Sequence, residues 1–216
     1  MYNTWHESLP GYIEVCAIEL PGRESKLREQ PFTQIGPLVN HLAELIQPVV
    51  DIPFAVFGHS MGALISFELA RELRRRRLRA PSRLFISGCR APHLPDKGEQ
   101  LHRLSPAQFM KAIQRLNGSE ACEEFSALVE FMLPTLVADM TLCEQYVYSL
   151  EEPLDISISA FAGLSDPRVS ENDALEWQRQ TKAHFSLRMF AGDHFFFRRA
   201  INELLAAIVK DLAGVW

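Results

Sequence analysis

The sequence has no long hydrophobic run. No stretch approaches the ~20 consecutive apolar residues needed to span a bilayer, so no membrane helix is expected. It also lacks paired cysteines. Cys16, Cys89, Cys122 and Cys143 are nowhere spaced as CxxC, and none stands at zinc-like intervals from a histidine. That excludes a zinc module and leaves free thiols in a reducing compartment as the expectation. Positive charge is not in excess: 22 Lys and Arg stand against 27 Asp and Glu, so the whole molecule has no attraction for nucleic acid. The opening residues MYNTWHESLPGY lack the charged start and apolar stretch of a secretory signal. Internal repeats, low-complexity tracts and linkers are absent as well. These absences describe an ordinary globule, expected to be cytoplasmic and monomeric.

What is present is an alternation of short apolar runs and helical patterns. Glu14–Leu20, Pro53–Phe57, Arg83–Ser87, Ile156–Ala162 and Leu187–Ala191 read as strands rich in Val, Ile and Phe. Continuous apolarity suggests burial on both faces, as in a parallel sheet. Phe32–Val50, Ser60–Leu78, Leu175–Thr181 (with Ser170 or Asn172 as cap) and Asn202–Leu212 read as helices. Alternating strand and helix predicts a doubly wound, mostly parallel α/β sheet. The rhythm breaks between residues 101 and 150, where helical patterns in Phe109–Leu116, Glu120–Phe131 and Thr135–Tyr148 occur without a strand. This predicts a core of residues 1–100 and 151–216 with a helical lid, 101–150, inserted over the strand ends.

The most informative segment is Phe57-Gly58-His59-Ser60-Met61-Gly62-Ala63. Here Gly-x-Ser-x-Gly lies between a buried strand and an amphipathic helix, the context of a nucleophile elbow. Side chains at Gly58 and Gly62 are expected to collide with neighbouring backbone, and glycine removes the clash. Ser60 would then stand above the sheet at a helix N-terminus, where the backbone N–H of Met61 faces a developing oxyanion.

In an α/β-hydrolase the acid and then the histidine follow the serine in chain order. His194 follows the last apolar strand, in Gly192-Asp193-His194-Phe195-Phe196-Phe197, and is the expected base. Asp166 follows the preceding strand, in Gly163-Leu164-Ser165-Asp166-Pro167, and is the expected partner of His194. Asp193 is a rival with awkward geometry, and Asp173 belongs to a first helical turn. His6, His41, His59, His93, His102 and His184 are read as structural. The triad needs no cofactor and no metal.

Several segments together carry a resemblance. They are Glu19-Leu20-Pro21-Gly22-Arg23, the elbow, Phe67-Glu68-Leu69-Ala70-Arg71, Leu104-Ser105, Leu133-Pro134 with Ala138-Asp139, Asp166-Pro167-Arg168-Val169-Ser170, and Gly192-Asp193-His194-Phe195-Phe196. The chain resembles type II thioesterases, the stand-alone editing enzymes of nonribosomal peptide and polyketide synthetases. The resemblance implies an α/β-hydrolase that cleaves acyl groups from the phosphopantetheine arm of acyl or peptidyl carrier proteins. It implies Ser60, Asp166 and His194 as catalytic residues, and a lid that frames the acyl channel. Phe109, Phe131 and Met132 are expected either to touch the acyl chain or to pack within the lid. The basic run Arg74–Arg77 is either a docking patch for acidic carriers or a solvated helix end.

One departure from the family is expected to matter. Members usually begin with a strand and a Pro-x-Ala-Gly-Gly-like loop that supplies a second oxyanion donor, and neither is found before Met1–Leu9. By resemblance that strand would lie between Glu14–Leu20 and Pro53–Phe57, so Met1 is read as an internal methionine of a longer natural chain. A general serine carboxylesterase or acyltransferase, and an inert carrier-binding homologue, stand as alternatives.

Overall fold

A computed structural model of the chain describes residues 2–95, 98–116 and 130–213. Four strands form one parallel sheet, in chain order: β1 (Val56–His59), β2 (Arg83–Ser87), β3 (Ser157–Gly163) and β4 (Phe185–Phe190). Among the described residues the α-helices are α1 (Ile35–Ile46), α2 (Met61–Arg75), α3 (Pro106–Leu116), α4 (Leu133–Glu144), α5 (Glu171–Leu175) and α6 (Ile201–Leu212). Parallel neighbours cannot be joined by a tight turn. Accordingly α2 links β1 to β2, and α5 with the 3-10 turn Glu176–Gln180 links β3 to β4. No helix among the described residues is long and apolar enough to cross a membrane.

The two-residue period of the strands sorts the core. Leu84 and Ile86 of β2 pack with Ala63, Phe67 and Ala70 of α2 on one face. Phe85, between them in sequence, packs on the other face with Phe161, Phe190 and the Leu204, Leu205 and Ile208 stripe of α6. Every residue of β2 is buried, as its unbroken apolar run requires of a central strand. Helix α1 covers the outer side of α2, setting Leu38, Leu42 and Ile46 against Ile65, Leu69 and Leu73.

The expected first strand is not formed. Glu14–Leu20 carries no sheet pairing, although Ile13 and Val15 lean on the core beside Phe57. None of its residues is buried, and among the described residues no neighbouring backbone pairs with it. Extended chain becomes sheet only where such a partner exists. The expected Leu175–Thr181 helix begins earlier, at Glu171. Ser170 caps it in a reciprocal box with Asp173, leaving Glu176–Gln180 as a 3-10 turn.

Two lid helices match their patterns, α3 after Ser105-Pro106 and α4 in place of Thr135–Tyr148. The Glu120–Phe131 pattern lies largely outside the described residues. The helices inserted between β2 and β3 have a small core of their own, in which Phe109 is fully buried among Leu101, Ala112, Leu136 and Met140. Phe109 is therefore a packing residue, whereas Phe131 is 63% exposed. A polar clasp joins α4 to the Leu20–Arg23 loop. Arg23 Nη2 meets Asp139 Oδ1 at 2.7 Å, and Thr135 Oγ1 donates to the Gly22 carbonyl at 2.7 Å.

The chain returning from the lid is pinned by Arg71, which is 1% exposed. Its guanidinium meets Glu68 at 2.6 Å and Glu151 at 2.7 Å, donates to the Ser149 carbonyl, and lies over the rings of Phe67 and Tyr148. The basic run beside it is also engaged. Arg74 and Arg75 meet Glu151, and Arg75 and Arg76 meet Glu72. Its charges serve the fold, which favours the structural reading of Arg74–Arg76 over a docking patch.

Removing Arg71 would strand the buried Glu68 carboxylate with only the Tyr146 hydroxyl as partner. Arg71→Met is expected to lower the free energy of unfolding by about 3–5 kcal/mol. Adding Glu68→Leu should recover part of that loss, as read by urea denaturation. Equal stability of the single and double variants would mean that lost packing, and not a stranded charge, is responsible.

Candidate active site

All four strands run in one direction, so their exits line one edge of the sheet, where ligands of open α/β sheets bind. At the exit of β1 the chain turns sharply into α2. A Cβ on Gly58 would lie 2.1 Å from the Gly62 carbonyl oxygen, so only glycine fits. A Cβ on Gly62 would meet nothing within 4 Å outside its own helix, so the expected clash at that position does not occur. The turn holds Ser60 at φ 53°, ψ −117°, a conformation that L residues rarely adopt and that costs about 1–3 kcal/mol. Met61 is the first residue of α2, so its N–H has no partner within the helix.

Hydrogen bonds lace the exits of β3 and β4 together. Leu164 N–H donates to the Phe190 carbonyl at 2.8 Å, and Ser165 N–H donates to the Gly192 carbonyl at 2.9 Å. Gly163 permits the approach, since a Cβ there would lie 2.2 Å from the Asp193 carbonyl oxygen. This lacing brings Asp166 and His194 together across 28 residues, with His194 Nδ1 2.8 Å from Asp166 Oδ2. Their side chains are 0% and 7% exposed respectively. Asp166 Oδ1 also accepts the Arg168 N–H at 2.8 Å. Burial opposes ionisation of Asp166, but the His194 contact and the N–H groups of Arg168 and Val169 outweigh it, and the carboxyl is held below its ordinary value. With Nδ1 engaged, Nε2 is the nitrogen of His194 left to exchange a proton.

Ser60 and His194 share this edge through β2. Ser60 N–H donates to the Ser87 carbonyl at 2.7 Å. A Cβ on the next residue, Gly88, would lie 3.3 Å from His194 Cε1. No hydrogen bond joins Ser60 Oγ to His194. Two rings flank that of His194: His59, with centroids 4.9 Å apart, and Phe195, edge-on at 5.2 Å. Burial, and next the neighbouring His194, drive the His59 imidazole down to about 3 against the pull of Asp166, so His59 is neutral at pH 7. The sequence reading missed this contact; the Ser87-Gly88 pair at a strand exit was the available sign of close approach.

The rival residues are occupied elsewhere. Asp173 closes its helix cap, and Asp193 accepts the Phe195 N–H at 2.8 Å. His93 pairs with Glu176 and Gln180, His102 pairs with Glu144, and His41 packs on Phe32. His6 and His184 are exposed. Burial pushes the Cys89 thiol to about 12, so it is no rival nucleophile at neutral pH. Among the described residues no three His, Cys, Asp or Glu side chains cluster as metal ligands would. A small crevice lined by Leu20, Phe32, Leu38, Met61 and Leu142 opens beside the start of α2. A larger hollow between Pro10 and α6 shares no residue with this edge.

Comparison with known proteins accords with this architecture. The family model for the thioesterase domain matches residues 1–212. Linear gramicidin dehydrogenase LgrE of Brevibacillus parabrevis is 43% identical, over 98% of this chain and 82% of its own length. The Gly-x-Gly-x-x-Gly turn of a dinucleotide-binding dehydrogenase does not occur in the present sequence. The RedJ thioesterase of the prodiginine pathway in Streptomyces coelicolor superimposes with a TM-score of 0.91 at 35% identity, covering 98% of this chain and 80% of its own. The type II thioesterase BorB of the borrelidin biosynthetic cluster gives 0.87 at 30% identity, covering 98% and 85%. The chain belongs to the thioesterase family of α/β-hydrolases, and within it to the type II thioesterases.

Proposed function

We propose that this chain hydrolyses acyl thioesters presented on the phosphopantetheine arm of carrier proteins, freeing the carriers of nonribosomal peptide or polyketide synthesis. The observation that carries the mechanism is the Asp166–His194 hydrogen bond, formed at the edge where the elbow raises Ser60. In this reading Ser60 Oγ attacks the thioester carbonyl while His194 Nε2 takes its proton. The carbonyl oxygen becomes an oxyanion facing the Met61 N–H at the positive end of α2. The tetrahedral intermediate collapses, the C–S bond breaks, and the pantetheine sulfur leaves with the proton held by His194. His194 then deprotonates a water that attacks the acyl-enzyme, and the acid departs as Ser60 regains its proton. Asp166 holds the tautomer of His194 and stabilises the imidazolium formed in each half-reaction.

The reaction needs no resident cofactor, because the phosphopantetheine belongs to the substrate. Residues 101–150 act as the lid. Action in the cytoplasm, as a monomer, is part of this reading; the free thiols Cys16, Cys89 and Cys143 among the described residues suit a reducing compartment.

Ser60→Ala and His194→Ala are each expected to lower kcat on an acyl-carrier thioester by about 10⁴-fold or more, and Asp166→Asn by a comparable factor. A p-nitrophenyl ester of equal chain length should be the poorer substrate. A strong preference for the oxygen ester, or near-normal turnover by His194→Ala, would refute the proposal.

Asp166 also gives a pH-dependent expectation for stability. Its folded pKa lies below the unfolded value of about 3.9, so its contribution is fully present above that value and is lost as pH falls through the folded pKa. The stability difference between wild type and Asp166→Asn should shrink as pH falls below about 4. A difference independent of pH, by urea denaturation across that window, would contradict an ionised Asp166 held by His194.

A further inference from the structure

The catalytic reading leaves His59 unused, although its ring lies closest to the base. Its surroundings are specific. His59 Nδ1 is 3.0 Å from Ser87 Oγ, and Ser87 is fully buried at the end of β2. The ring lies against that of His194, its plane tilted by 51°, and the ring of Phe197 meets it edge-on at 4.7 Å. Beneath both imidazoles lies Gly88, at φ +56°. A Cβ there would fall 2.5 Å from His59 Cε1 and 3.3 Å from His194 Cε1. The two rings thus share one space that a missing side chain leaves open.

The other nitrogen of His59 is informative. Nε2 is buried and has no hydrogen-bond partner, so Nδ1 to Ser87 is the only polar anchor of the ring. Leaving a buried polar atom unpaired costs about 1–3 kcal/mol. A phenylalanine would fill the same volume without that penalty. What imidazole adds is the tether to Ser87, which fixes the ring's rotation about its own side chain. A tethered ring is a rigid wall against which His194 can be held.

We propose that His59 is a positioning residue. Tied through Nδ1 to Ser87 Oγ, its ring fixes the plane in which His194 presents Nε2 to Ser60. This rests on the reading of Ser60, His194 and Asp166 given above. Asp166 anchors one edge of the His194 ring but leaves it free to swing about the Nδ1···Oδ2 axis. A second restraint on the ring face removes that freedom. His59 makes no bond to substrate in this scheme, so it acts on turnover and not on binding. A misplacement of about 1 Å in a reacting group lowers rate by as much as about 10²-fold.

The test uses the full chain with an acyl-N-acetylcysteamine thioester, and counts active sites by stoichiometric labelling of Ser60 with a fluorophosphonate. The variants are Ser87→Ala, His59→Phe and the pair combined. Ser87→Ala removes the tether and keeps the ring; His59→Phe keeps ring packing and removes the tether. Each single variant is expected to lose about 10-fold or more in kcat per labelled site, with KM changed less than about 2-fold. The combined variant should be no slower than His59→Phe alone, because Ser87 acts only through His59. A purely structural role would lower the labelled fraction and leave kcat per labelled site intact, which would overturn the proposal. Additive losses in the combined variant would overturn it too. A wild type that neither turns over nor labels at Ser60 would instead overturn the catalytic reading, and this proposal with it.

Discussion

A carbonyl group occupies the place where a side chain would begin. The Gly62 carbonyl oxygen stands 2.1 Å from the point a Cβ of Gly58 would take, and the edge of the sheet is organised around that contact. It lets the chain reverse from β1 into α2 within a few residues. The reversal puts Ser60 at positive φ and leaves the Met61 N–H at an open helix end. Helix α2 must then pack back on Leu84 and Ile86, and it carries Arg71 to the place where the chain returns from the lid.

Glycine plays the same part twice more on this edge. Gly163 admits the Asp193 carbonyl, and Gly88 admits two imidazole rings. The backbone is therefore drawn in wherever two strand exits must be laced or two rings must meet. Helix α4 is joined to the core both by apolar packing, with Leu142 buried in the cluster of Leu38, Val39 and Ile65, and by the Arg23–Asp139 pair and the buried Thr135–Gly22 bond.

Much of this was legible in the sequence because the governing interactions are local. The unbroken run Arg83–Ser87 became β2 with the same bounds, since burial on both faces leaves a clear apolar signature. Gly58 and Ser60 were readable from the elbow spacing. Asp166 and His194 were readable from their places after strands, and the structure joins them. Failures came where the answer depends on a distant partner. Glu14–Leu20 has the apolar run of a strand, but such a run does not report whether another backbone lies beside it. For the run Arg74–Arg77 the sequence left open a docking patch or a solvated helix end, because Glu151, some 76 residues away, takes up Arg74 and Arg75. His59 was read as structural, and it does pack, but its neighbours Ser87 and His194 are reached only through the sheet.

The strained turn at residue 60 has a consequence for the molecule as a material. A glycine there would adopt φ 53° without penalty, and the fold would gain what serine loses, about 1–3 kcal/mol. The hydroxyl is kept at a position where any side chain weakens the protein. Thermal robustness and chemical competence therefore pull on this residue in opposite directions. Selection for heat tolerance alone would erode the elbow before it touched the well-packed strand beside it.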